Sequence, residues 1–169
     1  IAVECSEIGD NADGAVPLVV ADPIQLEQVL FNLCINARDA IRGHGTIRVR
    51  IGHSNAAGAH CASCSARIDG TAWVWVEVAD NGCGMPPEVL ERMFEPFFTT
   101  KDVGRGTGMG LAMVHGFVQQ SHGKLEISST PGEGTTVRMI FPVADQYVAA
   151  LTIADAPAAL PPVVRCRCT

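Results

Sequence analysis

No uninterrupted apolar run in these 169 residues reaches the roughly 20 that a membrane helix needs, so no helical span is expected. No dense Lys/Arg run is present either. Twelve basic residues stand against 18 acidic ones, for a net charge of −6, which argues against a dedicated nucleic-acid surface. The start, Ile1-Ala-Val-Glu-Cys5, lacks a charged n-region, so no signal peptide is expected. It also lacks an initiator Met, which suggests a piece of a longer protein. No internal repeat is visible. The seven cysteines are odd in number and form no repeated spacing, which speaks against a disulfide framework. Cys34 in an apolar helix pattern and Cys83 between two glycines read as packed thiols of a reducing compartment. His60, Cys61 and Cys64 give half a zinc site, read here as a solvated loop, and Cys166 and Cys168 read as part of a frayed tail. What is present is globular: 47% of residues are hydrophobic, enough for one compact domain with a substantial core.

The pattern along the chain alternates between strand and helix signals. An opening strand, a polar loop and a short strand over 16–21 lead to Asp22-Pro23, a capping residue followed by a proline suited to a first helical position. Apolar residues Leu26, Leu30, Leu33, Ala37, Ala40 and Ile41 then recur at helical spacing, predicting a helix to about Arg42 with Gly43 as its stop. Strands are predicted over 46–53, 71–79, 124–129 and 135–141, a short helix over 86–93 and a second amphipathic helix over 109–121. Residues 99–110 carry four glycines and read as a mobile loop. From Ala144 onward Ala and Pro accumulate, as in a linker or tail. Five or six strands with about three helices and mixed connections favour a two-layer α+β sandwich over a doubly wound parallel sheet.

The run Gly104-Arg-Gly-Thr-Gly-Met-Gly-Leu111 leads into a helix, and glycines at a helix start admit an anion to backbone N–H groups. It is neither a Walker A loop nor a dinucleotide fingerprint, and no His-Arg-Asp or Asp-Phe-Gly of protein kinases is present. A flexible loop is the plainer reading of such a run alone. Asp80-Asn-Gly-Cys-Gly-Met85 places a carboxylate at a strand end beside two glycines, where it can accept from an exocyclic amine while a flat ring lies on the backbone; a simple β-turn fits too. Asn32 and Asn36 share a helix face away from the Leu26/Leu30/Leu33 stripe, either turned to water or offering hard amide oxygens to Mg²⁺.

Taken in this order the segments resemble the histidine-kinase branch of the Bergerat-fold ATPase superfamily, which includes gyrase, heat-shock chaperones and mismatch-repair ATPases. The N box runs from Gln28 through Asn32 and Asn36 to Ala40, and the first glycine box from Asp80 to Met85. The F box is Met93-Phe94-Glu-Pro96-Phe97-Phe98-Thr-Thr-Lys101, the second glycine box Gly106-Thr-Gly108-Met-Gly110-Leu111, and Gly132-Glu-Gly134-Thr135-Thr136 closes the set. The full F box weighs against a serine-directed anti-sigma kinase. The resemblance implies a mixed sheet covered on one face by about three helices, with residues 1–143 as the ATP-binding catalytic domain and 144–169 as linker or tail. It implies ATP with Mg²⁺: Asn36 on the metal, Asn32 in support, Asp80 on the adenine amino group, Gly82 and Gly84 beside the ring, and Thr135 reaching the base through water. Gly106, Gly108 and Gly110 would cradle phosphates under a lid over 99–105. Met85, Phe94, Thr107, Met109 and Leu111 complete the implied nucleotide set. Lys101 and Arg105 are either phosphate contacts or solvated.

Two departures from the family pattern stand out. Gyrase-like relatives have a glutamate where this chain has Asn32, and an amide cannot act as a general base, so slow ATP hydrolysis is expected. Many histidine kinases carry a basic residue three positions after the metal asparagine; here that position is Asp39, and Arg38 is expected to point elsewhere on the helix. None of the five histidines (44, 53, 60, 115 and 122) sits in a phosphoacceptor context. The expected function is therefore presentation of Mg-ATP to a histidine on dimerisation helices of a parent kinase, with a response regulator or fused receiver domain downstream. No nucleic-acid partner and no direct membrane contact are expected of the domain, whose location would be cytoplasmic even where the parent is membrane-anchored. A non-catalytic ATP-binding regulatory module is the alternative.

Overall fold

The computed structural model describes residues 1–8, 18–54, 73–101, 106–144 and 163–165. In chain order the elements are β1 (Ala2–Ile8), β2 (Leu18–Val20), α1 (Pro23–Ala40), β3 (Thr46–Ser54), β4 (Trp73–Asp80), α2 (Pro87–Arg92), α3 (Gly110–Gln120), β5 (Lys124–Thr130), β6 (Gly134–Pro142) and β7 (Val163–Arg165). Five strands form one sheet in the order β1-β3-β4-β6-β5. β1 runs parallel to β3, and the other neighbours are antiparallel. β2 and β7 form a separate antiparallel ribbon, joined to the end of β6 by a Val19–Val143 bridge. This is the two-layer α+β arrangement that the sequence pattern favours. Composition alone marked the region after 144 as linker or tail, and within it Val163–Arg165 pairs with β2.

The strict alternation of the strands separates two faces. Val74, Val76 and Val78 of β4, Val137, Met139 and Phe141 of β6, Leu125 of β5 and Ile47 of β3 are buried in one core. α1 and α3 lie over it, contributing Val29, Leu33 and Ala37 from the first and Val114, Phe117 and Val118 from the second. Burying each of the larger side chains among them contributes about 1.5–3 kcal/mol. α2 buries no residue and borders the pocket described below.

α1 begins as its sequence signals require. The Asp22 carboxylate accepts from the N–H groups of Ile24 (2.9 Å) and Gln25 (3.1 Å), and Pro23 follows it. The helix ends at Ala40, earlier than the glycine stop suggests. Ile41 turns extended, at φ −85° and ψ 120°, because its side chain is drawn into the core; Gly43 makes the turn two residues later at φ +90°.

The opposite face of the sheet is held by charge. Arg50, Glu77, Arg138 and Glu126 stand in register across β3, β4, β6 and β5. Glu77 is fully buried. Its Oε1 accepts from Nε (2.8 Å) and Nη2 of Arg50, and its Oε2 from Nε (3.0 Å) and Nη2 (2.6 Å) of Arg138. Arg138 also reaches Glu126 at 3.3 Å and lies 4.7 Å from the centroid of the Trp75 ring. A carboxylate so deeply placed is tolerated because four N–H donors satisfy it. Glu77→Ala should lower unfolding free energy by about 3 kcal/mol in urea denaturation, the low end for a broken buried pair because both guanidiniums keep contact with water. Arg50→Ala should cost less, since Arg138 continues to satisfy one carboxylate oxygen.

Candidate functional site

α1, the turn after β4, α2 with the loop behind it, the start of α3 and the start of β6 surround a cavity of about 960 Å³. Asn32, Asn36, Asp80, Gly84, Met85, Lys101, Gly106, Thr107, Gly108, Gly110, Leu111 and Thr135 all line it. The structure thus brings together residues more than 100 positions apart. Gly82, Phe94 and Met109 stand outside the lining: Gly82 backs onto Ala40, Phe94 stacks on His115 with ring centroids 4.9 Å apart, and Met109 is exposed. Arg105, His60, Cys61, Cys64, Cys166 and Cys168 lie outside the described residues.

One end of the cavity is built on Asp80, the last residue of β4. Its Oδ1 accepts from the Gly82 N–H at 2.8 Å. Burial pushes the Asp80 carboxyl above its ordinary range, opposed in part by hydrogen bonds from the backbone of Gly82 and Thr135. The turn is clamped from two sides, by Cys83 N–H to the Ala40 carbonyl (3.0 Å) and Gly132 N–H to the Cys83 carbonyl (2.8 Å). Side chains are excluded at the closest points. A Cβ on Gly82 would meet the Ala40 carbonyl carbon at 2.7 Å, one on Gly84 would strike the Thr130 carbonyl, and one on Gly134 the Asp80 carbonyl. Ser129 is a residue that sequence reasoning missed, since a serine near a strand end carries no signal. Its Oγ accepts from Met85 N–H (2.8 Å), donates to the Gly134 carbonyl (3.1 Å) and lies 2.8 Å from the Thr135 hydroxyl, joining the turn after β4 to the β5–β6 hairpin.

The other end is electropositive. α3 begins without a side-chain cap on its first-turn N–H groups, and Gly110 and Leu111 face the cavity, so the helix start offers backbone donors to an anion. Gly108, at φ +65°, packs on the Phe97 backbone, and Phe97 N–H donates to its carbonyl at 3.0 Å; this couples the loop after α2 to the start of α3. Asn36 lies against Gly110, and the Asn32 amide contacts the Met113 sulfur at 3.9 Å. Lys101 Nζ donates to Asp39 Oδ2 (2.8 Å) and Asn36 Oδ1 (3.3 Å). Arg38 does not point away as expected. It bonds Asp39 Oδ1 through Nε (2.9 Å) and Nη2 (2.7 Å) and borders the cavity. Lys101, then Arg38, hold the Asp39 carboxyl below its usual range. Among the described residues no cluster of three or more His, Cys, Asp or Glu could hold a metal. With the Asp39 carboxylate engaged by two cations, the oxygen donors left at this end are the amides of Asn32 and Asn36, which suit Mg²⁺ sharing its shell with water and phosphate.

A half-buried carboxylate at a strand end, facing bare helix N–H groups and an asparagine across one open cavity, defines a nucleotide-binding α/β sandwich. The family model described as "Histidine kinase-, DNA gyrase B-, and HSP90-like ATPase" matches residues 21–145, and the chain belongs to that ATP-binding family. Sensor kinase CckA of Brucella abortus (strain 2308) is 46% identical over 125 residues, covering 73% of this chain and 13% of the relative. Sensor histidine kinase ZraS of Escherichia coli (strain K12) is 38% identical over 133 residues, covering 79% of this chain and 25% of the relative. The chain thus spans a quarter or less of the length of these curated relatives. Among solved structures, the catalytic domain of histidine kinase ThkA superposes with TM-score 0.58 at 28% identity, covering 83% of this chain and 79% of that one.

The close approach at Gly84 gives a direct test of the pocket wall. Gly84→Ala combines a positive φ with a carbonyl collision and should destabilise the domain by about 3 kcal/mol. Gly132→Ala, with a similar φ of +85° but open space around it, should cost only about 1 kcal/mol in the same denaturation experiment.

Proposed function

We propose that this chain is the ATP-binding catalytic domain of a two-component sensor histidine kinase, presenting Mg-ATP for phosphoryl transfer to a histidine on dimerisation helices of its parent protein. The observation that carries the reading is the juxtaposition of Asp80, desolvated at one end of the cavity, with Asn36 and the uncapped start of α3 at the other. Family membership and the printed functions of the relatives support it, and so does a structural neighbour, full-length ShkA in complex with AMPPNP, at 25% identity and TM-score 0.57.

In this reading Asp80 accepts from the adenine amino group, the ring lies against the turn at Gly84, and Thr135 meets the base through water. Gly106, Gly108 and Gly110 let the phosphates approach the α3 N–H groups. Asn36 holds Mg²⁺ with Asn32 in support; the bound metal supplies charge neutralisation along the phosphates. Phosphoryl transfer depends mainly on positioning and charge neutralisation. The residues here orient the nucleotide, and the acceptor comes from the parent chain. A response regulator or fused receiver domain is the downstream partner, and the domain works in the cytoplasm. The alternative, an ATP-responsive module without phosphotransfer, would bind Mg-ATP yet leave no phosphohistidine on a protein that includes the dimerisation helices.

Asp80→Asn tests the adenine assignment. The variant keeps an oxygen for the Gly82 N–H but loses the charged acceptor, and calorimetry should read a loss of ATP affinity of about tenfold or more. Intact affinity would sink the assignment. The stability effect has the opposite sign. A raised carboxyl pKa means that protonated Asp80 favours the unliganded fold, a contribution complete below the ordinary aspartate range and lost as pH rises through the shifted value. At neutral pH the variant should therefore unfold at the same temperature as the parent or higher. Asn32 generates a second expectation: with Mg-ATP the isolated chain should release phosphate far more slowly than about 1 s⁻¹, the low end of ordinary enzyme turnover. Brisk turnover in a phosphate-release assay would contradict the assigned role of Asn32.

A further inference from the structure

We propose that Asp39 is a positioning residue for the lid lysine: it tethers Lys101 at the phosphate end of the cavity, so that the lysine supplies the positive charge that α1 lacks at that position. This rests on the reading of the cavity as an ATP site.

Three contacts in series make the case. Arg38 grips Asp39 Oδ1 through two nitrogens, at 2.9 and 2.7 Å, which fixes the carboxylate and leaves Oδ2 free to turn toward the lid. Oδ2 then accepts from Lys101 Nζ at 2.8 Å across 62 residues of sequence. The same ammonium donates to Asn36 Oδ1 at 3.3 Å. The stem of Lys101 is packed as well: a Cβ on Gly106 would lie 3.1 Å from its Cδ, and its own N–H donates to Thr99 Oγ1 at 3.2 Å. The side chains of Lys101 and Asp39 are 32% and 27% exposed, so the pair sits at the cavity mouth rather than in free solvent. An ammonium held this way is a preformed cation beside the amide that would meet the metal. On nucleotide binding Lys101 gives up Asn36 Oδ1 for a phosphate oxygen and keeps its hold on Asp39. The acid at this position therefore works as the base of a charge-swapped pair, with the cation delivered from the loop instead of from the helix.

Simple electrostatics predicts the opposite sign for the decisive variant, which makes the test sharp. Removing a negative charge near a polyanion should tighten binding; removing the tether should weaken it. Affinities of the 169-residue chain for Mg-ATP (calorimetry) and for adenosine (NMR titration) are measured for Asp39→Asn, Lys101→Ala and the double variant Asp39→Lys/Lys101→Ala. Each single variant is expected to bind ATP about tenfold more weakly, with adenosine affinity and unfolding temperature unchanged. The double variant should regain most of the loss, because it returns a cation to the helix. Unchanged or tighter ATP binding by Asp39→Asn overturns the tether. Equal losses for ATP and adenosine assign Asp39 to the fold alone and also overturn it, as does a double variant no better than Lys101→Ala. If the parent chain itself binds neither ligand, the ATP-site reading falls and this proposal with it, a failure visible before any variant is made.

Discussion

The backbone of the turn after β4 runs so close to its neighbours that side chains cannot fit between them. Gly82 lies on the Ala40 carbonyl, Gly84 on the Thr130 carbonyl, and Gly134 on the carbonyl of Asp80 itself. These contacts join three segments that share no sequence proximity: the end of α1, the strand end that carries Asp80, and the β5–β6 hairpin. Two backbone hydrogen bonds and the Ser129 hydroxyl then lock the junction. A carboxylate can be held half-buried at this point because the scaffold around it is rigid and its oxygen is met by N–H donors. Looser packing would let water in and return Asp80 to ordinary chemistry.

The rest of the sheet is arranged so that this junction can be rigid. One face is a continuous apolar layer under α1 and α3, and that layer fixes where the Asn36 face of α1 stands relative to the first turn of α3. The other face has Glu77 between two arginines, each giving two N–H groups to one carboxylate oxygen, a solution that holds β3, β4 and β6 in register through charge-assisted hydrogen bonds instead of apolar contacts. A one-residue slip of β4 would carry Glu77 into the valine layer and Asp80 out of the cavity. The ion-paired row thus acts on the site from a distance, by specifying the register that puts Asp80 at the strand end.

Much of this was legible in the sequence because it depends on period and on residues with one conformational use. Asp22-Pro23 marked the start of α1, the valine alternation marked β4, and the ordered asparagine and glycine segments marked the cavity. The features that were not legible depend on long-range contacts. Ile41 ends α1 because the core takes its side chain, which no local cap signal reveals. Ser129 matters because the turn after β4 and the start of β6 meet at its hydroxyl. Arg38 borders the cavity and grips Asp39, and Asp39 itself, which stands where a basic residue was looked for, is the partner of a lysine 62 positions later. Sequence spacing describes what one element can present; it does not describe what another element brings to meet it.

The two ends of the cavity also differ in sign, and this decides how a nucleotide could lie. At one end stands a carboxylate that burial makes costly to ionise. At the other stand uncapped N–H groups and the ammonium of Lys101, with Asp39 already neutralised by its two cations. A ligand with an amine at one end and a polyanion at the other relieves both strains in a single orientation. The reverse orientation would press phosphates against desolvated Asp80 and leave the helix donors facing a neutral ring. In the proposed reading, orientation is therefore set before any specific hydrogen bond forms, by the polarity of the site, and the hydrogen bonds at Asp80 then select adenine among the bases that the same polarity would admit.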